Sequence, residues 1–183
     1  KATVLRLRKD GGVGEIVDGV FHKGLGSVAE RNFRPHVNCV NITPNQKYLC
    51  AVDLGVDQVK IYKFNDETGK ITLVDMLRCE LESAPRIIKF SPDGRFAYLI
   101  CELKNYISVY TYKDGPRGPV FELVQTISTL NEYHSKGSAA CVLRFSRDWN
   151  YVLCSNAGDN SIGIFKIDRE TGKLEKICIL PIS

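Results

Sequence analysis

"IIKFSPDGRFAYLICELKNYISVYTY", residues 87–112, places two apolar runs around Ser91-Pro92-Asp93-Gly94. Proline presets φ there and glycine tolerates positive φ, so the stretch reads as a β-hairpin followed by a third strand. It does not stand alone. "CVNITPNQKYLCAVDLGVDQVKIYKF" (39–64) aligns with it without gaps at an offset of 48, and "VLRFSRDWNYVLCSNAGDNSIGIFKI" (142–167) at an offset of 55. Pro44 matches Pro92, Tyr48 matches Phe96 and Tyr151, and Val59, Ile107 and Ile162 coincide. "ETGK" at 67–70 returns at 170–173, at the summed offset of 103.

Each unit reads as four short strands separated by turns rich in Gly, Asp, Asn and Pro. They fall near 37–43, 48–54, 58–64 and 72–78 in the first complete unit. The second gives 86–91, 96–102, 106–112 and 120–128, and the third gives 139–146, 151–156, 161–167 and 174–180. No stretch keeps a helical period for ten residues. Four-stranded units repeating about every 50 residues predict an all-β fold, a β-propeller of antiparallel blades. "TVLRLRKDGGVGEIVD" (3–18) resembles 60–75 at an offset of 57 and supplies only the third and fourth strands of a blade. The expected organisation is one propeller segment: a partial blade and connecting loop over 1–33, then blades over 34–80, 81–130 and 131–183. Propellers close with about four to eight blades, so this segment of about three and a half is expected to be a truncated chain whose ring has a missing remainder, or one that self-associates. The first residue, Lys1 rather than methionine, fits a processed chain or a fragment.

Composition sets the class. Hydrophobic residues make up 44% and charged residues 25% of 183, which reads as a soluble globular chain. No apolar run reaches the roughly 18 residues that would span a membrane. The net charge of +4 is spread along the chain without a basic run, which argues against nucleic acid as partner. Seven cysteines lie mostly in apolar strand-like runs and form no CxxC pair. They read as buried small hydrophobes in a reducing, cytoplasmic compartment, with no metal site and no cofactor expected.

"GLGSVA" (24–29) formally fits a dinucleotide fingerprint, yet Pro35 and an apolar strand follow where a helix is required, so an inter-blade loop is the expectation. Arg86 and Glu102 break the repeat: their counterparts are Asn38 and Cys141, and Leu54 and Ala157. A hairpin symmetric about Gly94 would place them opposite each other, as a rim ion pair or as half of a site. His36 follows a proline just before an inner strand and could serve as a general base. His22 and His134 sit in unpatterned loops. Asp53 and Asp57 bracket "DLGVD" and read as turn formers.

At these residues the chain resembles the bacterial lactonase family typified by propeller-type 6-phosphogluconolactonase. The resembling stretches are "RPHVNCVNITPNQKYLCAVDLGVDQVKIYKF", "APRIIKFSPDGRFAYLICELKNYISVY" and "SNAGDNSIGIFKIDRETGKLE". The resemblance implies a seven-bladed propeller that hydrolyses 6-phosphogluconolactone, a phosphorylated sugar lactone of the pentose phosphate pathway, without a metal. The family's PHxH stands here as Pro35-His36-Val37-Asn38, its GPRH as Ala84-Pro85-Arg86-Ile87, and its SNRG as Ser155-Asn156-Ala157-Gly158. The glutamate before leucine is kept as Glu102-Leu103. Carried over residue by residue, the resemblance implies Arg86, Glu102 and His36 as catalytic and Asn38 and Asn156 as substrate-binding. Two histidines and one arginine of the pattern are replaced, which predicts reduced activity. The alternatives are a non-catalytic propeller that binds a sugar-acid ligand or a protein, and a cycloisomerase of the related muconate-lactonizing type.

Overall fold

A computed structural model describes residues 1–27 and 32–182. Alternating apolar positions build three four-stranded antiparallel sheets, each ordered as the chain runs. The first contains β3 (Val37–Ile42), β4 (Tyr48–Asp53), β5 (Gln58–Phe64) and β6 (Ile71–Arg78). The second contains β7 (Pro85–Phe90), β8 (Phe96–Cys101), β9 (Tyr106–Gly115) and β10 (Gly118–Ser128). The third contains β11 (Ala139–Phe145), β12 (Tyr151–Ala157), β13 (Ser161–Ile167) and β14 (Leu174–Pro181). Ahead of them, β1 (Ala2–Leu7) and β2 (Val13–Val20) form a two-stranded sheet. The architecture is a partial β-propeller. Of the strands anticipated from the repeat, β9 departs most, running on to Gly115 in a long ribbon with β10.

The sheets stack face to face, and the core lies between them. Val52, Val59 and Ile61 of the first blade meet Ile88, Ala97 and Leu99 of the second. On the second blade's other face, Tyr98, Ile100 and Val109 meet Leu143, Val152 and Phe165 of the third. Every residue of β8 is buried, because it is sandwiched on both sides. The first blade's other face meets the two-stranded sheet, with Ala51, Tyr62 and Ile71 against Val4 and Val20, while Val40, Ile42, Ile177 and Leu180 are exposed. Strand β7 touches both β3 and β11, so these three edge strands form the inner wall of the arc.

One turn is built three times where the first strand of a blade meets the second. Ser91 Oγ donates to Asp93 Oδ1 at 2.6 Å and accepts from Phe96 N at 3.0 Å. Thr43 does the same with Asn45 and Tyr48, and Ser146 with Asp148 and Tyr151. At the other end of each inner strand, one extra residue bulges out of the ladder. The register slips between Val37 and Cys39, between Pro85 and Ile87, and between Ala140 and Val142. The extra residues are therefore Asn38, Arg86 and Cys141, the same three that the repeat made equivalent.

Candidate active site

The bulge changes the geometry expected for the hairpin. Ile88 pairs with Leu99 and Phe90 with Ala97, and beyond the slip Pro85 pairs with Cys101. Arg86 and Glu102 are thus not directly opposite, and the expectation of symmetry about Gly94 fails by the turn's own register and the added residue. The bulge instead re-aims the arginine, as bulges do near functional sites. Arg86 Nη1 donates to Glu102 Oε2. The partners are unequally placed, with the Arg86 side chain 30% exposed and that of Glu102 1% exposed.

Backbone groups hold the pair. Glu102 N donates to Ala84 O at 2.8 Å, and Glu102 O accepts from Ala140 N of the third blade at 3.1 Å. From the first blade, Asn38 Nδ2 donates to Arg86 O at 3.3 Å. Three blades therefore meet at this rim, and Asn38 stands beside Arg86. His36 lies two residues before Asn38 and is exposed. Its main chain is fixed: the amide donates to Asp53 Oδ1 at 2.7 Å, and the carbonyl accepts from Leu54 N at 3.0 Å. The close approach of the 34–36 segment requires glycine at 55, since a Cβ there would lie 1.7 Å from Arg34 O.

Asn156 is placed differently. It is buried, and Nδ2 donates to Thr129 O at 2.8 Å and Ser161 Oγ at 3.0 Å. Its Oδ1 has no hydrogen-bond partner among the described residues.

The sequence did not disclose a second cluster behind His36. His22 Nδ1 bonds Asp53 Oδ2 at 2.6 Å, and its Nε2 bonds Tyr62 Oη at 3.1 Å, with His22 and Asp53 side chains fully buried. Gly55 N donates to Asp53 Oδ1 at 3.1 Å, so the turn role read from "DLGVD" is present, but it is only part of the work of this carboxylate. Burial pushes the Asp53 carboxyl up, and the hydrogen bonds from His22, His36 N and Gly55 N more than offset it, leaving its pKa below the usual carboxylate range. Asp57 likewise holds a loop, accepting from Glu82 N and Ala84 N at 2.8 Å each. His22 has no counterpart in the repeat, which removed the one signal that could have found it.

The cysteines are free thiols. Burial pushes Cys50, Cys101 and Cys154 up to about 12, so none of these three offers a thiolate near neutral pH. Residues 28 and 29 of "GLGSVA" lie outside the described residues, and 24–27 form neither strand nor helix. Among the described residues no helix is long and apolar enough to cross a membrane.

The comparisons with known proteins agree with this architecture. The family described as "Lactonase, 7-bladed beta-propeller" matches residues 1–183. A 6-phosphogluconolactonase of Bacillus subtilis is 29% identical over 174 residues, covering 95% of this chain and 48% of the relative. A periplasmic gluconolactonase of Pseudomonas aeruginosa superposes with a TM-score of 0.88 at 29% identity, over 99% of this chain and 50% of that one. A Lactobacillus plantarum protein gives a TM-score of 0.88 at 28% identity, over 98% and 50%. The chain thus spans about half the length of the curated relatives it matches. Its four-stranded sheets, its repeated turn and the end-to-end family match lead to one assignment: the chain belongs to the lactonase family of seven-bladed β-propellers.

Proposed function

We infer that this chain carries part of the rim of a lactone hydrolase of the 6-phosphogluconolactonase type, acting in the pentose phosphate pathway in a ring completed by further blades. The observation that carries the reading is the Arg86–Glu102 pair, raised on a bulge at the inner end of the middle blade. Lactone hydrolysis requires a base that activates water and a donor for the oxyanion that forms at the carbonyl. Arg86 is partly open to solvent and offers a planar fork of donors suited to that oxygen or to a phosphate. Glu102 lies behind it, buried, which suits a positioning role better than proton transfer from water. His36 is exposed just ahead of the neighbouring strand and suits the base, while Asn38 beside Arg86 suits substrate binding. Asn156, with both amide bonds turned inward, supports the loop at Thr129 and would act on substrate only through it. In the reaction so assigned, water attacks the lactone carbonyl as His36 takes its proton. The tetrahedral oxyanion collapses, the ring C–O bond breaks, and the alkoxide leaving group takes up the proton. The free thiols support a reducing, cytoplasmic setting.

A second reading is a non-catalytic propeller that binds a sugar acid. It is favoured by Asn38, Ile87 and Ala157, which stand where the family pattern has two histidines and an arginine. One assay separates the two. The complete protein should consume 6-phosphogluconolactone faster than spontaneous hydrolysis, and Arg86→Ala should lower that rate by about 10²–10³-fold. A rate equal to the spontaneous one, with the lactone or its acid still raising the melting temperature, selects the binding reading.

A further inference from the structure

The inner strands carry the Arg86 rim at one end and the repeated turns at the other, about 20 Å away by strand length. A cavity of about 690 Å³ lies at the turn end. Lys89, Arg144 and Arg147 line it together with Phe145 and Trp149, and no Asp or Glu does. None of the ion pairs among the described residues involves these three cations. Arg144 reaches only Leu143 O, at 3.4 Å. The nearby turn carboxylates are engaged elsewhere, Asp93 by Ser91 and Arg95 and Asp148 by Ser146 and Asn150. Three like charges gathered in one concavity repel each other and focus a field that attracts an anion.

Trp149 is a second, independent observation. It occupies the turn position held by Gln46 and Gly94 in the other blades, and all three have positive φ: 59° at Gln46, 72° at Gly94 and 59° at Trp149. Glycine enters that region freely, whereas a bulky side chain is strained there. The turn gains nothing from an indole, since Ser146 closes it as Ser91 closes its own. The ring packs on Phe145 with centroids 4.5 Å apart, and the residue remains 37% exposed. Strain kept at an open aromatic beside uncompensated cations is a feature of ligand sites.

We propose that this end of the channel is a second ligand site, for a nucleoside monophosphate, with the phosphate on Lys89, Arg144 and Arg147 and the base stacked on Trp149. The volume falls within the range of small-molecule pockets. Cations supply charge-assisted bonds to phosphate, and an aromatic face accepts any base. The site is independent of the lactonase reading.

Trp149 is the only tryptophan of these 183 residues, and the fluorescence that Trp149→Gly removes is the signal of this site. AMP should quench it saturably at millimolar concentration or below, and inorganic phosphate should compete with AMP without quenching. Calorimetry should show Arg144→Ala and Arg147→Ala each weakening AMP by about threefold to tenfold. Trp149→Gly keeps the turn and relieves its φ but gives up the Phe145 contact, so it should remain folded by circular dichroism while losing AMP binding by about tenfold or more. The proposal is overturned by no saturable response to AMP up to about 5 mM. Adenosine binding as well as AMP, or a folded Trp149→Gly that binds AMP like the parent, overturns it equally.

Discussion

Asp53 and Glu102 both stand where the second strand of a blade runs out, one in the first complete blade and the other in the next, and both are fully buried. Asp53 is enclosed by donors: His22 at 2.6 Å, His36 N at 2.7 Å and Gly55 N at 3.1 Å. Its hydrogen-bond partner His22 is as buried as itself. Glu102 instead pairs with an arginine that is 30% exposed and raised on a bulge. An enclosed carboxylate fixes a backbone, whereas one that holds a solvent-facing guanidinium can present it to a ligand. The first belongs to the scaffold under His36 and the second to the rim.

The largest expected effect breaks the first of these clusters. Asp53→Ala leaves His22 and the amides of His36 and Gly55 without their acceptor, and should cost about 3–5 kcal/mol of stability by urea unfolding. The sign of its pH dependence follows from the lowered pKa of Asp53. A carboxyl depressed in the folded state contributes stability that is present above its unfolded pKa of about 3.9 and lost as pH falls through the lower folded value. The gap between the parent and Asp53→Asn should therefore narrow below about pH 4. A gap that is flat from neutral pH to acid would remove the charge from this account.

Next in size is the matching change at the rim. Glu102→Gln keeps the shape behind Arg86 but releases its orientation, and Arg86 can turn to water. Stability should move by no more than about 1 kcal/mol, while lactone turnover falls by about 10²-fold through misplacement of the guanidinium. Destabilisation as large as that of Asp53→Ala would make the two carboxylates alike and erase the contrast.

The repeat made the fold legible because antiparallel blades impose a period on strands and turns alike. Pro44 with Pro92, and Thr43, Ser91 and Ser146 with their turn acceptors, are local chemistry that a sequence displays directly. The same register brought Asn38, Arg86 and Cys141 to one level, and the structure shows why: each is the extra residue of a bulge. The bulge itself was not legible. Counting outward from Gly94 assumes an unbroken ladder, and one inserted residue defeats the count. His22 was hidden for a different reason. Its partners Asp53 and Tyr62 lie 31 and 40 residues away across a stretch without periodicity, so only tertiary packing unites them.

The smallest effect tests how far the enclosure around Asp53 extends. Tyr62 Oη closes the far side of His22 at 3.1 Å, and the two rings stack with centroids 6.1 Å apart. Tyr62→Phe keeps the ring and deletes one buried hydrogen bond, which should cost about 0.5–1.5 kcal/mol. Combined with Asp53→Ala, the two losses should be non-additive, because His22 has by then lost the partner that holds it against the tyrosine. Strict additivity would mean that Tyr62 and Asp53 act on His22 separately. The scaffold under His36 would then end at the carboxylate, and only the Asp53 bonds would set the position of the rim histidine.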